Sequence, residues 1–195
     1  MYEKYLKRIL DLLLSIIGLL VLSPIFLLII ILIKLDSPGP VFFKQQRVGK
    51  AKILFNILKF RTMKIDTPKD TPTHLLENPN QYITTIGKFL RRTSLDELPQ
   101  IWNILLGEMS IIGPRPALWN QADLIAERDL YKANDLRPGL TGWAQINGRD
   151  ELGIKEKAKL DGEYTSQVSL LFDLKIFLKT IMIVVKREGI REGRG

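Results

Sequence analysis

Hydrophobic positions along this chain of 195 residues fall into three regimes. Leu12 to Ile33 is 22 residues without a charge, apolar on every face of a helix. As a straight helix it is about 33 Å long, enough to cross a bilayer core of about 30 Å. The run is too long for a signal-peptide apolar region and has no Ala-x-Ala cleavage site. A core helix of so small a domain has no need to be apolar all round. Ser23-Pro24 lies at the midpoint. Proline cannot donate to the Leu20 carbonyl and crowds that turn, so a kink is expected there.

The middle regime is short and punctuated. Asp36-Ser-Pro-Gly-Pro40 reads as a turn. Val41–Phe43 and Ile53–Ile57 read as strands of a small β-hairpin joined at Gly49-Lys50. Asp66 to Tyr82 carries three prolines and no apolar period, which predicts a loop. Ile83 to Arg92 predicts a short helix. A second short helix opens at Asp96-Glu97 and runs into Gly113-Pro-Arg-Pro116, and Ala117 to Ala133 predicts a longer one. Arg137–Gly142 and Gln145–Arg149 read as tight polar loops. The third regime, about Val168 to Arg187, is amphipathic. Leu170, Leu174, Phe177, Leu178, Ile181 and Val185 form one stripe opposite Asp173, Lys175, Lys179 and Lys186. Phe172, Ile176 and Ile183 fall on the polar side. The lysines suggest a helix lying on a membrane surface, with packing against the domain core as the alternative. The fold class expected is α+β, mainly helical: a membrane-inserted N-terminal unit over 1–35 and a cytosolic domain with surface helices over 36–195.

Charge refines the membrane reading. The net charge is +8. Lys4, Lys7 and Arg8 precede the apolar run, while Lys34, Lys44, Arg47 and further cations follow it. The positive-inside rule puts both flanks in the cytoplasm. A straight span cannot satisfy both, whereas a re-entrant helix-break-helix turning at Ser23-Pro24 can; a kinked single span is the alternative. The basic balance also suits an anionic partner. Nucleic acid is not expected, because no recognised motif or regular basic-aromatic interleaving is present. With no cysteine, thiolate zinc sites and thiol nucleophiles are excluded, and the single histidine, His74, lies in the proline-rich loop.

The chemistry concentrates at Asp96 and Glu97. Ser94-Leu-Asp-Glu97 fits a capping box, the bland explanation for two acids at a helix start. Yet Pro99 sits too deep for a helix capped by Ser94, which predicts irregular local geometry. Arg91 and Arg115 flank the pair, Arg115 between two prolines. A carboxylate can attack phosphorus to give an acyl phosphate. Mg²⁺ bridging carboxylate and phosphate oxygens would relieve the repulsion between two anions, and arginine forks would hold the phosphoryl oxygens.

These residues carry a resemblance. Ser94-Leu-Asp-Glu-Leu-Pro-Gln100, Gly107-Glu-Met-Ser110, Gly113-Pro-Arg-Pro116, Arg137–Gly142, Gln145–Arg149, Lys59-Phe-Arg-Thr-Met63 and the membrane segment look like the bacterial sugar transferases, the monotopic polyprenyl-phosphate phosphoglycosyl transferases, in their minimal catalytic form. The resemblance implies a two-step reaction at the cytoplasmic face of the bacterial plasma membrane. Asp96 would attack the sugar-bearing phosphate of a nucleoside diphosphate sugar, usually a UDP-sugar, and release UMP. Polyprenyl phosphate would then take the phosphosugar from Asp96. Glu97, with Asp96, would carry the Mg²⁺. Arg91 and Arg115, with Lys59 and Arg61, are expected at the phosphates. Arg137, Gln145, Arg149, Asp161 and Tyr164 are candidates for the nucleotide-sugar side, or for structural roles. The rivals are a direct-displacement transferase and a non-catalytic tethered module that binds anions. Sugar, glycan pathway and oligomeric state, a homodimer included, stay open.

The topology can be tested in this cysteine-free chain. A Tyr2→Cys variant is expected to resist a membrane-impermeant maleimide in intact cells and to react after permeabilisation. Labelling from outside means a single crossing.

Overall fold

A computed structural model describes residues 2–67, 81–148 and 151–186. His74, most of the expected proline-rich loop and Arg149 lie outside them. One turn of π-helix, Tyr2–Leu6, leads into α1, Lys7–Asp36. The break expected at Ser23-Pro24 is corrected to one continuous helical run with Pro24 inside it. The reason is local. Pro24 leaves the Leu20 carbonyl without its backbone donor, and Ser23 Oγ donates to that carbonyl at 2.8 Å.

α1 turns a narrow stripe toward the rest of the protein. Asp11, Ser15, Ile29 and Ile33 are buried, Gly18 lies against Ile101, and Phe26 packs with Ile29, Ile33, Phe60 and Leu90. Its other faces expose leucine, isoleucine and valine, among them Leu20 and Val21. It is long and apolar enough to cross a membrane and mostly exposed, which is not the pattern of a core helix. Polar contacts tie both ends to one domain. Arg8 donates to the Ile104 and Leu105 carbonyls at 2.6 and 2.9 Å, and Asp11 accepts from the Ile111 N–H at 3.0 Å. At the far end Asp36 accepts from the Ile86 N–H at 3.1 Å.

The expected hairpin forms and is longer than its apolar cores suggested. β1, Phe42–Val48, pairs antiparallel with β2, Leu54–Phe60, Phe42 opposite Phe60 and Val48 opposite Leu54. α2, Thr85–Arg92, starts at Thr84, whose Oγ1 accepts from the Gly87 N–H at 3.0 Å. A Cβ on Gly87 would meet the Thr62 carbonyl at 2.1 Å, so only glycine lets α2 lie this close to the segment after β2. A 3₁₀ turn, Leu95–Glu97, precedes α3, Gln100–Leu106, which ends at Gly107 with φ 88°.

Ser110–Ile112, read as the run-out of a helix, is a strand, β3. It pairs in parallel with β4, Gly139–Thr141, in the segment expected to be a tight loop. Gly107 in the left-handed region stops α3, and the next residues extend. The helix expected over Ala117–Ala133 shrinks to α4, Ala122–Asp129. Ala117 and Leu118 pair with the end of β1 instead, Val48 N–H donating to the Ala117 carbonyl at 2.9 Å. α5, Trp143–Ile146, α6, Ile154–Ser166, and α7, Leu170–Lys186, complete the described chain.

α7 packs the other way round from a simple reading of its stripe. Phe172, Ile176 and Ile183, on its nominally polar side, pack into a core with Ile112, Ile146 and Tyr164. Asp173 is buried beside them and takes Lys7 Nζ at 2.6 Å, Tyr2 OH at 2.6 Å and Tyr164 OH at 2.7 Å. The apolar stripe, Leu170, Leu174, Phe177, Leu178 and Ile181, is left exposed. Packing against the domain alone would have buried that stripe.

α4 and α6 are joined by a buried ion pair. Arg128 Nε and Nη2 donate to Asp161 Oδ2 at 2.8 and 2.6 Å, and neither residue is more than 3% exposed. Removing one partner strands the other charge. Arg128→Met is therefore expected to cost about 3–5 kcal/mol, and Arg128→Met with Asp161→Leu to recover most of it. Thermal unfolding in micelles checks both. A double variant no more stable than the single would show that the pair itself holds the two helices.

Candidate active site

The site is assembled from three separate pieces of chain around Asp96 and Glu97. The first is the turn that carries them. Ser94 takes the left-handed conformation, φ 56°, and makes no side-chain cap bond. The capping-box reading therefore fails, and the irregular geometry anticipated from Pro99 is present: Pro99 stands immediately before α3 and the acids precede the helix in a 3₁₀ turn.

The second piece is the end of β2. Asn103 on α3 fixes its position. Asn103 Oδ1 accepts from the Leu58 N–H at 2.9 Å, and its Nδ2 donates to the Asn56 carbonyl at 2.9 Å. This brings Lys59 Nζ to 2.7 Å from Glu97 Oε1 and 4.0 Å from Asp96 Oδ2. The third piece is the strap Gly113-Pro-Arg-Pro116. Gly113 N–H donates to the Thr141 carbonyl at 2.8 Å, and Gly139 N–H donates to the Pro114 carbonyl at 2.8 Å. A Cβ on Gly139 would meet Gly113 N at 2.1 Å, so this approach needs glycine. Arg115 then reaches Glu97 with both Nη atoms, at 2.6 Å to Oε1 and 3.3 Å to Oε2.

The two neighbouring acids thus live differently. Glu97 accepts three charge-assisted hydrogen bonds. Burial pushes its carboxyl up, but Arg115 and Lys59 outweigh burial and hold it well below the usual carboxylate range. Asp96 is buried too, and among the described residues its carboxylate accepts no hydrogen bond. Burial pushes it above the ordinary aspartate value, with Glu97 pushing the same way and Lys59, Arg91 and Arg115 pulling back. Arg91 is held in the last turn of α2, its Nε donating to Thr62 Oγ1 at 2.8 Å.

Of the residues singled out in the sequence, Asp96, Glu97, Lys59, Arg91 and Arg115 come together. Arg61 does not: its guanidinium donates to the Pro38 and Ser37 carbonyls just after α1. Arg137 sits at the opposite end of α3, Nε donating to the Gly107 carbonyl at 2.9 Å. Gln145 Nε2 donates to the Leu140 carbonyl at 3.3 Å beside β4. Asp161 is spent on Arg128, and the Tyr164 hydroxyl donates to Asp173. Two residues were missed. Asn103 looked like an ordinary helix polar residue, and Arg47 like one of many cations flanking the membrane run.

The acid pair offers a hard divalent cation two adjacent carboxylates. No third acid, histidine or cysteine joins them in a metal-binding group among the described residues. This fits Mg²⁺ held by one or two carboxylates with water and phosphate oxygens as the remaining ligands. Glu97 could join such a set only by giving up Lys59 or Arg115, so Asp96 is the less committed ligand.

Comparison with known proteins places the chain among relatives. A family model described as bacterial sugar transferase matches residues 2–187. An uncharacterized sugar transferase, EpsL, of Bacillus subtilis is 40% identical over 187 residues, covering 96% of this chain and 91% of that one. The UDP-glucose:undecaprenyl-phosphate glucose-1-phosphate transferase of Escherichia coli is 40% identical over 192 residues, 92% of this chain and 40% of that one. The UDP-N-acetylgalactosamine-undecaprenyl-phosphate N-acetylgalactosaminephosphotransferase of Aeromonas hydrophila is 37% identical over 193 residues, 96% of this chain and 45% of that one. The chain therefore spans less than half the length of the two relatives with a named activity.

The electrostatics give a pH prediction. Asp96, raised in the folded state, contributes stability at low pH that is lost as pH rises through its folded value. Glu97, depressed, contributes stability that is lost as pH falls through its own. Carbon-13 NMR of labelled carboxyls, assigned with Asp96→Asn, should show Asp96 titrating above the ordinary aspartate range. Lys59→Met should move it higher still. An unmoved midpoint would mean that Lys59 does not act on Asp96.

Proposed function

The chain belongs to the bacterial sugar transferase family, and from that premise we propose that it transfers a sugar-1-phosphate from a UDP-sugar to undecaprenyl phosphate, releasing UMP and opening the synthesis of a surface glycan. The enzyme class follows from the family; donor and acceptor follow the activities named for relatives. Those relatives use different sugars, so the sugar is not assigned.

One observation carries the mechanism: Glu97 is locked by Lys59 and Arg115 while Asp96, its neighbour, is left without a hydrogen bond among the described residues. A carboxylate held in that way has lone pairs free for attack. An Asp96 oxygen would bond to the sugar-side phosphorus. The bond from that phosphorus to the bridging oxygen would break, and UMP would leave with the bridging oxygen and the electron pair. An oxygen of the lipid phosphate would then attack the same phosphorus and return Asp96 as a carboxylate. Lys59, Arg91, Arg115 and Arg47 set four positive charges against the two carboxylates. Among the described residues the balance is two positive charges (four cations against two carboxylates), the complement of a diphosphate diester with two ionised oxygens. Mg²⁺, if held by Asp96 and the phosphates, would neutralise charge as the nucleophile approaches.

The membrane arrangement supports the same reading. α1 lies along the domain by one stripe, with Arg8, Asp11 and Asp36 bonded to that same domain at both ends. A helix so attached cannot cross the bilayer while its domain stays in water. A continuous helix lying along the domain, its exposed apolar faces in one leaflet and both basic flanks on the cytoplasmic side, meets both the contacts and the positive-inside rule. The exposed stripe of α7 is an apolar surface for the same leaflet.

Incubation with labelled donor and no lipid acceptor tests the covalent step. Wild-type protein should retain label and Asp96→Asn should not, with turnover in Asp96→Asn lower by at least about a thousandfold. Full turnover without retained label would favour direct displacement. Near-normal UMP release by Asp96→Asn would remove Asp96 as nucleophile.

A further inference from the structure

The mechanism above leaves Arg47 as one charge among four, yet its placement is unusual. It sits near the end of β1, half-buried. Its Nη1 donates to the Pro116 carbonyl at 3.1 Å and its Nη2 to Gln45 Oε1 at 2.6 Å. Its Nε is buried with no partner. No carboxylate bonds to it among the described residues; the charges it feels are Arg115, of like sign, and Glu97. Burial and then Arg115 lower its pKa to about 10, so it stays protonated at neutral pH. A half-buried cation with a sealed-off Nε and no bonded counter-ion, set beside another cation, is costly. A structural clamp on Pro116 would not need that charge, since an asparagine or a backbone N–H can bond a carbonyl.

We propose that Arg47 is a positioning residue for Arg115. Two features let it act. By the Pro116 carbonyl it fixes the residue that follows Arg115, on a strap whose next residues already pair with β1 through Val48 N–H to the Ala117 carbonyl and the Arg47–Leu118 bridge. By its charge it repels Arg115. That repulsion offsets part of the hold of Glu97 on Arg115. Arg115 is thereby aimed at the acid pair but ready to pass to an incoming phosphate. The site is built to exchange partners: when the diphosphate arrives, Arg115 can leave a carboxylate that Lys59 and Arg47 still neutralise. This inference rests on the reading of the acid pair as a diphosphate site.

A double-mutant cycle tests it in the full chain in micelles. Arg47→Met, Arg115→Gln and the double variant are compared with wild type in label uptake from a UDP-sugar. On an Asp96→Asn background they are also compared in affinity for UDP by calorimetry. Arg47→Met is expected to lower both by about tenfold or more with Arg115 present, and by less than about threefold with Arg115 already removed. Arg47→Lys restores the charge but not the fork, and is expected to recover only part of the loss. Thermal unfolding reports whether each variant stays folded. If Arg47→Met unfolds, Arg47→Lys carries the cycle alone. Independent, multiplicative effects would overturn the proposal, because they would mean that Arg47 acts by itself or merely holds the fold. The premise fails separately. Wild-type protein that takes up no label yet shows coupled UDP affinities would reject the covalent reading and keep Arg47 in its role. Protein that does neither rejects both.

Discussion

The Glu97 carboxylate is the point on which the site depends. It is nearly buried, and it is the charged joint between three segments: the turn before α3, the end of β2 through Lys59, and the proline strap through Arg115. A buried carboxylate shared between two cations is stable only if both stay in place, because a missing partner leaves an uncompensated charge in a low dielectric. The surrounding framework is accordingly rigid. Asn103 ties α3 to β2 by backbone bonds, and Gly113 and Gly139 bring the strap within contact of β4.

The same framework carries the long apolar helix. α3 has the acid pair before its first turn, while its last carbonyls accept from Arg8 of α1. Ile101, one position into α3, meets Gly18 of α1. Leu95 and Leu98, flanking the acids, pack on the cluster that Ile29 and Ile33 of α1 form with Phe60 and Leu90. The residues on either side of Asp96 and Glu97 thus pack directly against the apolar helix. An acceptor with its phosphate at the headgroup level and its chain in the bilayer can meet Asp96 without being extracted far from lipid.

Much of this was legible in the chain, and what was not has identifiable causes. The apolar run, the hairpin, the last helix and the acid pair with its flanking cations are strong local signals, and they stand. The proline break was overstated, because the serine hydroxyl that rescues the Leu20 carbonyl lies in the preceding position and its bond is a matter of geometry. The parallel strand pair and the short α4 depend on contacts between segments far apart in sequence, which periodicity does not report. Asp161 and Tyr164 looked like site residues because charged and hydroxyl groups on a helix carry no mark of their partner; Arg128 and Asp173 claimed them. Arg47 was hidden for the opposite reason. In a basic chain one more arginine after a membrane run is explained by topology alone.

Why two adjacent acids should differ so much follows from the turn that holds them. Had Ser94 capped a regular helix, Asp96 and Glu97 would have lain in its first turn, their charge spent on the free N–H groups and the helix dipole. Pro99 prevents that by standing immediately before α3, so the helix begins after the acids and takes no side-chain cap from them. Ser94 in the left-handed region then starts a separate 3₁₀ turn, with Glu97 N–H donating to the Ser94 carbonyl at 3.3 Å. Three residues per turn set successive side chains about 120° apart, so when Glu97 faces Lys59 and Arg115, Asp96 must face elsewhere. The turn that Ser94 opens at φ 56° thus keeps the nucleophile candidate out of the helix cap and leaves it only the 4.0 Å approach of Lys59, while its neighbour takes the close hydrogen bonds.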